Sequence, residues 1–364
     1  DVSGSMQAYN KLELVKPAMR LLVDQLRPQD RVAIVVYAGA AGLVLESTPG
    51  SDRQKILEAI DRLQAGGSTA GAAGIKLAYQ VAKEHFIEEG NNRVILATDG
   101  DFNVGVASES ELTRLIEAKR DDGIFLTALG FGMGNYKDNK LEILADVGNG
   151  NYAYIDNLQE ARKMFVHEIT GTLYTIAKDV KIQVEFNPAR VGAYRLIGYE
   201  NRLLAAEDFN DDTKDAGELG AGHRVTALYE LVSAGAETTL VRNVDPLRYQ
   251  AVPTSTAAAN SEEWGLVKLR YKEPRGRKSQ LLEQPIVHTG QDIVSATGDL
   301  RHAAAVAAFG MILRRSEYVG DYSLRQVSEL AQSALGRDEY GYRAEFIRLV
   351  NSAEALEPLA ENSK

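Results

Sequence analysis

Apolar positions in the first half of the chain alternate between two rhythms. Leu12, Val15, Met19, Leu22 and Leu26 recur at helical spacing and predict a helix over 9–26, with Pro28 as its stop. The unbroken run Val32-Ala33-Ile34-Val35-Val36-Tyr37 predicts a buried strand over 31–38. A short strand over 42–46 follows, then a helix over 52–63 that turns Ile56, Ile60 and Leu63 inward. The pattern continues with a helix over 71–89, a strand over 93–98, a helix over 109–121 and a strand over 124–130. A helix over 141–146, a strand over 152–155 and a closing helix over 158–177 complete it. Strands alternating with helices in this way predict a doubly wound α/β sheet, filling residues 1–178. In such sheets ligands gather beyond the carboxyl ends of the strands.

At Asp179 the period changes to two. Val180, Ile182, Val184 and Phe186 alternate with polar residues, as do Val225, Ala227, Tyr229 and Leu231, and again Val267, Leu269 and Tyr271. This is the pattern of half-buried antiparallel strands, and it predicts a β-sandwich-like domain over 179–293. The remainder, 294–364, reads as helical. Leu300, Ala304, Ala307 and Met311 share one face, and Ser323 stands where it can cap a second helix carrying Leu324, Val327, Leu330, Ala331 and Ala334. Phe346, Leu349, Val350 and Ala353 mark a third.

With 364 residues and 45% hydrophobic content, the chain can bury a sizeable core. Its net charge of −10 and isoelectric point near 5.2 argue against a nucleic-acid partner, which leaves a basic footprint. Having no cysteine, it can form no disulfide, zinc-thiolate site or cysteine nucleophile. No run is long and apolar enough to span a bilayer.

The candidate chemistry sits on loops. Asp1-Val2-Ser3-Gly4-Ser5 alternates one carboxylate and two hydroxyls with small or apolar residues. In extended backbone alternate side chains point the same way, so three oxygen donors can converge. A hard divalent cation takes such donors. Two later pieces are suited to complete the shell: the glycine-rich turn Gly66-Gly67-Ser68-Thr69-Ala70-Gly71, and Thr98-Asp99-Gly100-Asp101 directly after Val94-Ile95-Leu96-Ala97.

These three pieces, in this order, resemble the metal-ion-dependent adhesion site of von Willebrand factor A domains. Carried over by position, the resemblance implies the metal ligands Asp1, Ser3, Ser5, Thr69 and Asp99. It implies a Rossmann-like domain holding Mg²⁺, with Mn²⁺ or Ca²⁺ as alternatives. It further implies a non-enzymatic role, in which a partner protein supplies an Asp or Glu carboxylate to the metal. The family's first strand precedes the Asp, so this chain is expected to be a piece of a longer protein. Asp1 is then a chain end free to fray, and its α-amino group is expected to bring positive charge beside the metal. Tyr194-Arg195-Leu196-Ile197-Gly198-Tyr199-Glu200-Asn201-Arg202, with 205–212 after it, resembles the C-terminal region of an uncharacterised bacterial, YfbK-like family of A-domain proteins. That resemblance implies a place at the cell envelope, periplasmic or on the surface.

Two rival readings stand beside adhesion. A hydrolase would need a general base near a metal-bound water, and Asp101 is the candidate. His85, His167, His223, His288 and His302 are scattered without zinc-ligand spacing, and neither a Gly-x-Ser-x-Gly elbow nor a Walker loop is present. A scaffold subunit of an envelope or ATPase-linked assembly would use the site only for docking. Three weaker features read as structural. Gly130-Phe131-Gly132-Met133-Gly134 is a plain loop rather than a dinucleotide fingerprint. Asp208-Phe209-Asn210-Asp211-Asp212 is a solvated acidic turn, since Thr213 and Leu219 stand where a calcium loop needs Gly and Glu. The basic stretch 270–278 is a solvated hairpin tip.

Overall fold

The computed structural model describes residues 1–88, 90–100, 109–132, 138–168, 175–199, 203–212, 214, 216–236, 260–274 and 276–361. By contacts it divides into two compact units. The first comprises Asp1–Val180, Asp215–His223 and Lys272–Lys278; the second comprises Lys181–Lys214, Arg224–Tyr271 and Ser279–Lys364.

The first unit has the α/β architecture the alternation predicts. Strands β1 (Arg31–Tyr37) and β2 (Ala41–Pro49) pair antiparallel, and β3 (Asn92–Thr98), β4 (Ile124–Phe131) and β5 (Tyr152–Ile155) pair parallel in that order. Helices α1 (Leu12–Gln25), α2 (Arg53–Asp61), α3 (Gly71–Glu84), α4 (Glu109–Asp121), α5 (Asp138–Val147) and α6 (Leu158–Arg162) connect them. Because side chains alternate across a strand, β3 feeds two cores at once. Val94 and Leu96 pack with Ile75, Tyr79, Leu112, Ile116, Leu126 and Leu141 on one face. Ile95 and Ala97 pack with Leu12, Val15, Leu129, Phe131, Ile155 and Phe165 on the other. Helices on both faces make the sheet doubly wound. Val23, Leu45, Ile56, Ala59 and Ile60 form a smaller core where α1 and α2 cover β2.

Three local expectations need correcting. The helix predicted over 158–177 is α6 plus one π-type turn, Lys163–His167; Ile176 and Ala177 already belong to strand β6 (Thr175–Phe186). The β-branched Ile176, Val180, Ile182 and Val184 favour a strand there, and a helical reading underweighted them. The boundary expected at 178/179 therefore falls inside β6. The strict alternation from Val180 is also broken. Asp179 has φ +51°, and the pairing of β6 with β8 (Gly217–Gly220) shifts register between Ala177 and Val180. Such a bulge re-aims the side chains beyond it. Lys181 is buried while Ile182 is exposed.

In the second unit the continuation of β6 lies beside β10 (Glu263–Lys272), which pairs antiparallel with β11 (Gln280–Val287). A separate hairpin-like pair joins β7 (Val191–Ile197) and β9 (Leu228–Ser233). Val225 and Ala227 precede β9 rather than belong to it. The Phe186 ring lies 4.6 Å from that of Tyr194 and 5.4 Å from that of Tyr229, so aromatic contacts link β6 to the β7–β9 pair. The C-terminal helices α7 (Gly298–Leu313), α8 (Leu324–Ser333) and α9 (Tyr342–Glu361) belong to this unit. Their core is Ala305, Ala308, Leu324, Val327, Ala331 and Val350. Leu300 and Leu349, expected inside, are about half exposed. Ser323 caps α8 as expected, in a reciprocal box with Gln326. Among the described residues, no helix is long and apolar enough to cross a membrane.

Candidate metal centre

The carboxyl ends of β1 and β3 are bridged by the first residues of the chain. The Val2 amide donates to the Tyr37 carbonyl (3.0 Å), and the Asp1 amino group donates to the Ala97 carbonyl (2.9 Å). Val2 and Met6 are buried in the core beneath and anchor the segment. Asp1 is not frayed. Burial lowers its α-amino group to about 5, the negative charge of Asp99 opposing that shift.

The Asp1 carboxylate is held at both oxygens. Oδ1 accepts the Ser3 amide at 2.9 Å, and Oδ2 accepts the Thr98 hydroxyl at 2.8 Å. Ser3 Oγ and Ser5 Oγ lie 3.0 Å apart, within hydrogen-bond reach. Ser3 is buried and Ser5 exposed, so the pair runs from the interior to the surface. The glycine-rich turn is tied to the same segment: Gly66 N–H donates to the Val2 carbonyl (2.8 Å) and Gly4 N–H to the Gly67 carbonyl (2.9 Å). A Cβ on Gly4 would stand 3.1 Å from the Gly67 oxygen, so the close approach of the two loops favours glycine there. These contacts are made by Gly66 and Gly67. Thr69, half-buried two residues on and just before α3, makes none of them.

Asp99 follows β3 and is buried. Its Oδ2 accepts from Lys11 Nζ at 2.8 Å. Lys11 precedes α1 and reaches across 88 positions of sequence. Its stem crosses Gly132, where a Cβ would lie 2.6 Å from Lys11 Cε. Tyr154 holds the Gly132 carbonyl through a 2.6 Å hydrogen bond from its hydroxyl. Gly132, whose φ is +89°, thus stands on the lysine's path; of the glycine-rich stretch expected to be a plain loop, Gly130 and Phe131 instead end β4, and Met133 and Gly134 lie outside the described residues. Asp101, the candidate base, lies outside them too. Under the site is Tyr37. Burial raises its phenol well above the ordinary value, a hydrogen bond with Thr98 opposes this, and the charge of Asp99 adds to it.

The donor set suits a hard divalent cation on two counts. Asp99 already faces a cation, the Lys11 ammonium. Apart from that ammonium, the grouped side-chain atoms are oxygens, which Mg²⁺, Mn²⁺ and Ca²⁺ prefer. Among the described residues no three His, Cys, Asp or Glu side chains gather as a metal cluster. Here the carboxylates are two, and the other donors are hydroxyls. Thr98, Lys11 and Gly132 were not singled out as site residues from sequence. One signal was available for Lys11: a cation at a helix N-terminus opposes the macrodipole, so its place there calls for another partner.

The weaker features have structural roles. Buried Lys181 donates to the Asp208 carbonyl (3.1 Å) and the Asp211 carbonyl (2.5 Å), while Asp212 meets Arg270 and Ser279. The acidic turn is a latch rather than a solvated loop. In the basic hairpin Lys272 is buried against Asp179, not solvated.

Both halves of the chain resemble known proteins. A family model for the von Willebrand factor type A domain matches residues 1–101. A second, described as "Uncharacterized protein YfbK, C-terminal", matches residues 171–356. The chain is 45% identical over 361 residues to the uncharacterized protein YfbK of Escherichia coli K12, covering 99% of this chain and 62% of that protein. It thus spans less than two thirds of that relative's length. It is 33% identical over 165 residues to an uncharacterized protein of Synechocystis, covering 45% of this chain and 38% of the relative. A solved von Willebrand factor type A structure from Catenulispora acidiphila aligns over 96% of this chain and 79% of that one, at 18% identity and TM-score 0.46. Von Willebrand A domains commonly mediate metal-dependent protein interactions, and the function of the YfbK proteins is uncharacterised. The chain belongs to the YfbK family: a von Willebrand factor A domain followed by the YfbK C-terminal domain.

Proposed function

We propose that this protein is a divalent-metal-dependent protein-binding module. Asp1, Ser3, Ser5, Thr69 and Asp99 hold the ion, and an Asp or Glu of the partner completes its shell. The observation that carries the reading is the convergence of separate loops. Asp1 is bonded to Ser3 and Thr98, Ser3 lies against Ser5, and the Gly66–Gly67 turn is bonded to Val2 and Gly4. Five protein oxygens leave a place open in a near-octahedral shell, which an oxygen of a further acid can fill. Charge-assisted contacts of that kind are stronger than neutral ones. Mg²⁺ is the expected ion, with Mn²⁺ or Ca²⁺ as substitutes.

Pull-down from a bacterial envelope extract tests the reading. The wild-type chain is expected to capture its partner in Mg²⁺ and release it in EDTA, and Asp99→Ala to capture nothing. Capture that is unchanged in EDTA contradicts metal-mediated binding and supports a metal-independent scaffold instead.

A further inference from the structure

We propose that Lys11 is a tethered counter-cation of this centre. It holds Asp99 while the divalent ion is away, weakens the grip on that ion, and leaves the loaded site with surplus positive charge for an acidic partner. The inference rests on the metal-binding reading and adds to it the residue that sets affinity.

The Asp99 side chain is 2% exposed and that of Lys11 17%. A carboxylate so deeply buried is costly without a partner. Lys11 supplies one at a place where its own helix disfavours a cation, and Gly132 leaves room for its stem. The charge balance then follows. Asp1 and Asp99 alone would just neutralise a dication, leaving little attraction for a further acid. With Lys11 in place the loaded centre keeps one excess positive charge. The same charge repels the incoming metal across a poorly screened interior. Lys11 therefore has opposite effects on two equilibria: metal uptake is weakened and acid capture is strengthened. A purely structural lysine would not separate them in this way.

The test uses Mn²⁺ as the metal and acetate as the acid. Mn²⁺ binding is followed by calorimetry, and acetate binding by the fall in water relaxivity as it displaces metal-bound water. Folding is checked by circular dichroism. Lys11→Met is expected to bind Mn²⁺ roughly tenfold tighter and acetate roughly tenfold weaker than wild type. Its metal-free form should melt lower and gain more from Mn²⁺. Gly132→Ala crowds the lysine stem and strains a backbone held at φ +89°, without changing either charged residue. It is expected to shift both equilibria in the same directions by a smaller factor, and it carries the test if metal-free Lys11→Met does not fold. Wild-type Mn²⁺ binding with no tightening in the folded variants overturns the role of Lys11 alone. Absence of Mn²⁺ binding in wild type and variants overturns the metal-binding reading, and this inference with it.

Discussion

Two lysine–aspartate pairs lie largely out of water in the A-domain unit, and their surroundings differ. Lys11–Asp99 sits beyond the carboxyl end of β3, where Asp1, Ser3, Ser5 and Thr98 gather further oxygens. Lys272–Asp179 lies at the bulge of β6, where the Ala216 amide donates to the second Asp179 oxygen at 3.3 Å. Around Asp179 the neighbours are donors, which satisfy a carboxylate and offer nothing to a metal. Around Asp1 and Asp99 the donors include Thr98, whose hydroxyl oxygen, like those of Ser3 and Ser5 nearby, a cation could share. Chemically similar ion pairs thus serve as a strand latch in one place and as the core of an ion site in the other. What decides between them is the other atoms aimed at the carboxylate.

The largest expected effect would sharpen that contrast. Removing one partner of a buried pair leaves the other uncompensated and costs roughly 3–5 kcal/mol. Lys272→Met should lose about that much in a urea melt, and Mg²⁺ should restore none of it. Next comes Asp99→Ala, expected to weaken Mg²⁺ binding about a hundredfold or more, equivalent to about 2.7 kcal/mol. Thr98→Val removes the hydroxyl that orients Asp1. It should weaken Mg²⁺ roughly tenfold, as orienting partners of metal ligands generally do. An Asp99→Ala protein that binds Mg²⁺ like wild type would erase the distinction between the two pairs.

Smaller effects belong to the helical part, where no metal dependence is expected. Ser323→Ala removes half of a capping box and should cost about 1 kcal/mol by chemical denaturation, equally in Mg²⁺ and in EDTA. The smallest effect is one of pH. Burial first, and then the charge of Arg343, lowers the His302 imidazole from its ordinary 6.5. Below about pH 6.5 the unfolded chain therefore takes up a proton that the folded chain resists. Stability should be fully present above that pH and decline as pH falls through it. His302→Phe, which retains a ring beside Phe346, should flatten this part of the pH profile.

Much of the A domain could be read from residue order, because most of its strands are short apolar runs that alternate with periodic helices. The Asp99 loop was legible for the same reason, standing directly after Val94-Ile95-Leu96-Ala97; the other two loops were legible from their own hydroxyl, carboxylate and glycine pattern. Lys11 was not, since its partner is 88 positions away and only tertiary structure brings them together. The second half was harder to read. Around the bulge at Asp179 the apolar Ile176 and Ile182 are exposed while Lys181 is buried, which period-two patterning cannot anticipate. In α7 the run His302-Ala303-Ala304-Ala305-Val306-Ala307-Ala308 is small and apolar nearly all round, so spacing alone could not choose the face that Ala305 and Ala308 bury. The end of the helix after Leu158 was missed because local propensity, not period, sets the start of β6.

Calorimetric titration of Mg²⁺ into the metal-stripped protein tests the central claim most directly. One binding site is expected in the wild type, lost in Asp99→Ala and weakened in both Ser3→Ala and Thr69→Ala. A wild-type chain that takes up no Mg²⁺, or one whose uptake is indifferent to all three substitutions, would contradict it.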